Sequence, residues 1–359
     1  MDVKRGPILF RCDGVPGAWE PLYQCQTLAA ALQRRRRGTH FLSYLEPLSL
    51  ATGIHRGNND WTAAESKIGG PGDLHATCRA VRKLGAAVVV VAGDAGTDYL
   101  DAVAAAGAVV LTLDAAGGVR DAAGLVVNPF LAPGRKAYRA GPGTHLLLGR
   151  RFALVRGLFR RQRTIRATEQ PGPFRALVAF GDDDPADQTL VRAEQLLAMP
   201  QVSKVSVACR THHPRYHELK DVADDSKSRL EVVTEPKELM TRLVRAHVAV
   251  SGGDGWSLEL ACVGIPQVTL PTSPVHSQNA KRMDDEGAAT FLGAAADVTA
   301  AQLAEAVGII LDDPMERLGM NRCARNLIDG RGGDRIVNGL EIVLHSPRLK
   351  TLAATRLAA

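Results

Sequence analysis

Short, continuous apolar runs alternate along the chain with longer stretches in which apolar positions recur every three to four residues. "PILFRC", "THFLSYL", "AAVVVVAG" and "AVVLTLD" are runs of the first kind, and "PLYQCQTLAAALQRRRRG" and "DYLDAVAAAG" are of the second. Apolar runs without alternation mark strands buried on both faces, and helices of about ten to fifteen residues between them predict a parallel α/β sheet. The cycle restarts after "RRFALVRGLFRRQRTIRATEQPGP" with "FRALVAFG", "DQTLVRAEQLLAM", "VSKVSVAC", "LEVVT", "PKELMTRLVRA", "HVAVSGG", "WSLELACVG" and "PQVTLP". The expected architecture is two Rossmann-like domains, residues 1–150 and 173–345, joined by a basic linker at 151–172 and followed by a tail at 346–359. Two such domains would bind ligands at the carboxyl ends of their strands, in a cleft where the sheets face each other.

With 359 residues the chain is long enough for two full cores, and with only 4% aromatic residues the packing must rest on Ala, Val and Leu. The formal charge of +6 gathers in Arg34 to Arg37 and in the Arg150 to Arg166 segment, a pattern compatible with an anionic partner. The arginine quartet ends the first predicted helix, where cations complement the dipole; with the basic linker it also allows peripheral contact with an anionic membrane face. Six well-separated cysteines without a CxxC pair suggest neither zinc nor disulfides, so cytosolic thiols are expected. "RGPILFRCDG" lacks a signal-peptide hydrophobic region, and no run of eighteen apolar residues predicts a spanning helix. The expected location is cytoplasmic. No helix-turn-helix, zinc or RNA-binding signature is present, so nucleic acid is not an expected partner, and "RCDGVPGAW" is not a dinucleotide fingerprint.

The stretch "VSGGDGWSLELACVGIP" reads as a strand, a glycine turn and a helix. Gly252 and Gly253 permit a tight turn, and the free amides and positive dipole end of the next helix would suit a diphosphate. Glu259, one turn in, would suit a ribose diol. The same pattern is also an ordinary tight connection. "LVAFGDDDPADQT", "MTRLVRAHVAVSGGDGWSLELACVGIPQVTLP", "NAKRMDDEGAA" and "NLIDGRGGDRIVNGL", with the thinner "RCDG", "CQTLAAAL" and "LLLGRRFALVR", carry a resemblance across most of the chain. The chain resembles the GT-B nucleotide-sugar enzymes. Within them it is most similar to the UDP-sugar hydrolases of pseudaminic acid biosynthesis and related spore-coat polysaccharide proteins, and more distantly to the lipid II-forming N-acetylglucosaminyltransferases.

The resemblance implies UDP on the second domain, with Gly252, Gly253, Asp254 and Gly181 near the phosphates and Glu259 on the ribose. Arg11, His276 and Asn279 would face the sugar. In the hydrolases the first loop ends in a histidine expected to move a proton; here Pro21 stands in its place and the loop is about one residue shorter. Asp13 and Glu20 are the ionisable side chains left on that loop, and Trp19 could stack on a sugar or plug the domain edge. Three further departures add charge, since Asp182, Asp183 and Asp254 stand where the relatives carry glycine or a small hydroxyl residue. Bare like charges at contact with a diphosphate oppose it by on the order of a kcal/mol in water and more in a cleft. The aspartates either bridge to the phosphates through Mg²⁺ or Mn²⁺, turn away as helix caps, or mark a site that no longer binds a diphosphate. The "DDDP" preceding a helix favours capping. His212, His213 and His217 cluster in "CRTHHPRYHEL" and invite a metal reading, given little weight without a matching carboxylate or cysteine.

The expected function is therefore binding of a nucleotide sugar, with glycosyl transfer or hydrolysis at the anomeric carbon in surface polysaccharide biosynthesis. Transfer is favoured, because loss of the histidine weakens hydrolysis more. The alternative is a catalytically inactive descendant of the fold that serves as a binding or scaffold protein.

Overall fold

The computed structural model describes residues 6–345 except 120–122, 182, 183, 185 and 212. It divides into two compact units, Met1–Leu154 with Arg331–Ala359, and Val155–Gly330.

The first unit runs β1 (Ile8–Cys12), α1 (Glu20–Gln33), β2 (Thr39–Ser43), α2 (Ala51–Arg56), β3 (Asp60–Ala63), α3 (Asp73–Leu84), β4 (Val88–Ala92), α4 (Thr97–Ala105), β5 (Val109–Leu113), β6 (Gly118–Val119), β7 (Leu125–Asn128), β8 (Tyr138–Arg139) and β9 (His145–Leu148). Seven strands form a parallel sheet in the order β3-β2-β1-β4-β5-β7-β9, with β6 and β8 paired separately. Every residue of β1 and β4 is buried, as expected of strands covered on both faces. Leu22, Cys25, Leu28, Ala29 and Leu32 of α1 face the same core as Phe10 and Val90, the three-and-four spacing that places one helical face against a sheet.

The second unit runs α5 (Gly157–Ile165), β10 (Phe174–Ala179), α6 (Gln188–Leu197), β11 (Val202–Ala208), α7 (Tyr216–Asp225), β12 (Leu230–Val233), α8 (Pro236–Leu243), β13 (Val248–Ser251), α9 (Gly255–Val263), β14 (Gln267–Thr269), α10 (Pro274–Asp285), β15 (Thr290–Phe291), α11 (Ala300–Asp312) and α12 (Pro314–Leu327). Its parallel sheet is ordered β12-β11-β10-β13-β14-β15. Counted within the unit this is 3-2-1-4-5-6, the doubly wound Rossmann order. α9 is buried from Trp256 to Val263 and has apolar residues all round, as a central helix requires.

These units differ from the expected boundaries at both ends of the second domain. The segment read as a linker contains α5, which packs on α9. The last helix, α13 (Gly332–His345), belongs to the first unit, where Ile336, Val337, Leu340, Val343 and Leu344 join its core. A Cβ on Gly332 would lie 2.1 Å from the Ala153 carbonyl oxygen, so only glycine fits where this helix starts against the end of the N-terminal segment.

The arginine quartet has a structural task. Arg34 donates to Asp334 at 2.7 Å, Arg35 to Asn338 at 3.0 Å, and Arg37 to both oxygens of Glu341 at 3.0 and 2.9 Å, tying α1 to α13. Among the described residues no helix is long and apolar enough to cross a membrane.

Candidate functional site

In a 3-2-1-4-5-6 sheet the crevice opens where the strand order reverses, outside the carboxyl ends of the first and fourth strands. In the second unit these are β10 and β13, and both lead into glycine turns that start helices. Gly181 follows β10 with φ +84°, and Gly252 and Gly253 follow β13. The turns are neighbours: a Cβ on Gly252 would touch the Phe180 ring at 3.5 Å. Gly253 has φ +71°, and a Cβ there would lie 2.8 Å from the His276 carbonyl oxygen and 2.9 Å from the Ala280 methyl. This position excludes a side chain both by conformation and by space. Asn279, fully buried on α10, donates from Nδ2 to the Gly253 carbonyl at 2.6 Å and fixes the turn. His276 sits half-buried in the first turn of α10, its amide donating to Ser273 Oγ at 3.2 Å. Asn279 and His276 thus meet the glycine turn itself.

Asp254 is the N-cap of α9. Its Oδ1 accepts from the Ser257 amide at 3.3 Å and from the Ser257 hydroxyl at 3.4 Å. At the neighbouring turn Asp184, three residues before the Asp187 N-cap of α6, accepts from the first helical amides, those of Gln188 and Thr189, at 2.9 and 2.6 Å. Both helix starts at the crevice therefore carry a carboxylate of the protein where helix amides and dipole would otherwise draw an external anion. Asp182 and Asp183 lie outside the described residues. Asp254 is turned into its helix, and among the described residues no group of three His, Cys, Asp or Glu could hold a metal ion. His212 also lies outside the described residues. His213 Nδ1 accepts from the Arg215 amide at 3.1 Å, and its Nε2 faces Asp184 Oδ2 at 3.8 Å.

Glu259 is held by a residue the sequence reading passed over. Its Oε1 accepts from the backbone amide and Nε of Arg156, both at 2.8 Å, and Oε2 accepts from Nε at 3.0 Å and from the guanidinium terminus at 2.5 Å. Three N–H groups of Arg156, with the Nε hydrogen shared between the two oxygens, hold both ends of the carboxylate. The Arg156 guanidinium also lies 4.5 Å from the centre of the Trp256 ring and 4.7 Å from that of Phe159, a stacked cation–π arrangement. Arg156 ends the "LLLGRRFALVR" match, but its position in a run of cations read as a basic linker hid its role.

The far end of α9 is capped by Arg163 and Arg166 of the same segment and by Asn321 and Arg325 of α12. Arg163 donates to the Cys262 carbonyl at 3.0 Å, Arg325 to Val263 at 3.2 Å, and Arg166 and Asn321 to Gly264 at 3.3 and 2.6 Å. These are the orphan carbonyls of a helix C-terminus, where positive charge is favoured. Burial, and after it the Arg325 charge, lowers the Arg166 guanidinium to about 10.

In the first unit the corresponding crevice lies between β1 and β4, and the loop after β1 is closed by internal bonds. Arg11 is fully buried: Nε donates to Asp73 Oδ1 at 2.7 Å, one terminal nitrogen to Asp13 Oδ1, and the other to the Ser66 carbonyl at 2.9 Å. Burial alone would lower the Arg11 pKa; the bonds and charges of Asp13 and Asp73 outweigh it, and the net direction is up. Asp13 further accepts from the amides of Tyr44 at 3.0 Å and Ile68 at 2.7 Å. Arg11 and Asp13 hold loops together here. Trp19 is 3% exposed, packs in the core and donates from its indole to the Glu46 carbonyl at 3.2 Å; it is the plug of the two alternatives. Glu20 opens α1 and is partly exposed.

No family model matches the sequence, nor does any curated protein. Solved structures do match. MurG of Acinetobacter baumannii aligns with a TM-score of 0.63 at 15% identity, covering 93% of this chain and 99% of that one. The spinosyn forosaminyltransferase SpnP aligns at 0.66 and 15%, covering 95% and 100%. The spinosyn rhamnosyltransferase SpnG complexed with thymidine diphosphate aligns at 0.63 and 15%, covering 93% and 100%. At these identities the likeness is one of fold, and the fold is GT-B: two Rossmann-like domains with parallel sheets.

Proposed function

We propose that the protein binds a nucleotide sugar, UDP-linked by the resemblance, with the diphosphate over the Gly181 and Gly252–Gly253 turns, and that it transfers the sugar. The observation that carries this reading is the pair of glycine turns side by side at the switch point of the second unit, Gly253 being a position that admits no side chain. Such turns let a backbone approach a pyrophosphate closely. Transfer is preferred to hydrolysis because Pro21 stands where the resemblance places the proton-moving histidine. A transferase can take its base from another group, and partly exposed Glu20 at the start of α1 is the candidate. Glu259 reads the ribose only after Arg156 releases it, so ligand binding exchanges an internal ion pair for contacts to nucleotide.

The second reading, a binding or scaffold protein without turnover, draws on two observations: Arg156 already holds both oxygens of Glu259, and Asp184 and Asp254 already accept from the first amides of both helices. Contact with an anionic bilayer belongs to the proposal as well. Its support is α5, where Leu158 at 40% and Ile165 at 64% exposure flank the exposed Arg161 on one face.

Calorimetric titration of UDP, with and without Mn²⁺, tests the first reading, and product analysis with a UDP-sugar follows. Micromolar binding, with release of free sugar slow unless an acceptor is present, is the expected result. Absence of heat with UDP in both conditions would overturn it in favour of the scaffold.

A further inference from the structure

From residue 122 to residue 168 the sequence contains ten cations and no Asp or Glu. Arg156, Arg163 and Arg166 are engaged inside the second unit, as described above. A different part of the run, in the first unit, has no such carboxylate partners among the described residues. Arg135, Lys136 and Arg139 are all exposed, within five residues of one another, on the loop that leaves the carboxyl end of β7.

This loop is built rather than slack. Asn128 Oδ1 accepts from the Phe130 amide at 2.9 Å, and its Nδ2 donates to the Pro133 carbonyl at 3.2 Å. Tyr138 is 4% exposed, packs on Val126, and donates its hydroxyl to the Asp114 carbonyl at 3.0 Å, just beyond β5. Arg135 braces the loop by donating to the Tyr138 carbonyl at 2.9 Å, and β8 pairs with β6 through Val119 and Arg139. Asp114, whose carbonyl accepts from Tyr138, directs Oδ1 to the Ala116 and Gly117 amides at 2.9 and 3.3 Å and is 8% exposed. Three cations are thus held on an anchored loop at the carboxyl edge of an open parallel sheet, the edge at which such sheets bind ligands.

We infer that this loop is a phosphate-binding site of the first unit, distinct from the donor turns of the second. Two guanidiniums supply paired donors that match phosphate geometry, and Lys136 adds a point charge. A charge of three favours a dianionic or more highly charged phosphate over a single carboxylate. The site stands on the geometry of the first unit and does not depend on the donor reading.

The test is calorimetric titration of inorganic pyrophosphate into the full chain at low salt. The variants are Arg135→Ala with Lys136→Ala and Arg139→Ala, the pair Lys136→Ala and Arg139→Ala that keeps the Arg135 brace, and a control with Arg79→Ala and Lys83→Ala on α3. Saturable binding is expected, weakened at least tenfold in the triple variant, severalfold in the pair, and unchanged in the control, with UDP binding equal in all. Equal pyrophosphate affinity in the triple variant and the parent, or full displacement of pyrophosphate by UDP, would overturn the inference. Loop-dependent sedimentation with phosphatidylserine vesicles, without pyrophosphate binding, would also overturn it and assign the loop to a bilayer. If the parent binds pyrophosphate through the loop but not UDP, the donor proposal fails and this one holds.

Discussion

Asp254 shows how one side chain changes what a turn can do. As the cap of α9 it satisfies the Ser257 amide and places a negative charge at the helix start, in the position the resemblance assigns to glycine. Replacing a cap by glycine costs the helix only a few tenths of a kcal/mol, while removing a like charge beside a diphosphate gains on the order of a kcal/mol or more. Asp254→Gly is therefore expected to tighten UDP binding about tenfold, with a melting temperature almost unchanged; weaker binding in calorimetry would show that the aspartate helps the ligand, as through a metal. The sequence pointed to this cap correctly, because an aspartate before a helix has a local mechanism. It did not reveal the bonds that occupy Arg11, Asp13 and Glu259, because Asp73 lies 62 residues from Arg11, Ile68 55 from Asp13 and Arg156 103 from Glu259 in the chain.

At the scale of elements, the segment between β9 and β10 carries most of the surprise. A dense arginine run suggested a basic linker, yet α5 lies against α9, and Arg163 and Arg166 donate to carbonyls at the end of that helix. His247, at the start of β13, belongs to the same neighbourhood: Nδ1 accepts from the Arg175 amide at 3.1 Å, and Nε2 meets the Gln170 carbonyl at 3.1 Å. Burial lowers its pKa; the Gln170 bond opposes this, and the charges of Arg175, Arg166 and Arg317 add to the lowering. Above the unfolded value of about 6.5 the ring is neutral in both states. As pH falls below that value the unfolded chain binds a proton that the folded chain resists, so stability is lost between the unfolded and the lowered folded pKa. The melting temperature should fall between pH 7.5 and 5.5, and His247→Asn should fall less over the same interval. An identical drop in the variant would remove His247 as the cause.

For the whole molecule, the path of the chain matters more than the division of its sequence into halves. The chain enters the second unit at Val155 and returns at Arg331 to give α13 to the first. Five buried apolar side chains of α13 contribute about 1.5–3 kcal/mol each, together comparable with the 5–15 kcal/mol that stabilises a typical domain. A chain ending at Gly330 should therefore lose the calorimetric transition of the first unit and retain that of the second; two intact transitions would show that α13 is dispensable.

The sequence by itself determined the class of fold, because strands buried on both faces must be apolar throughout and the helices between them must repeat near 3.6. It also determined where glycine turns follow strands, since tight turns restrict residue type locally. Tertiary structure alone decided which charges are internal and which helix completes which core. These depend on pairings between residues distant in the chain, and a charge has no periodicity that tells solvent from a buried partner.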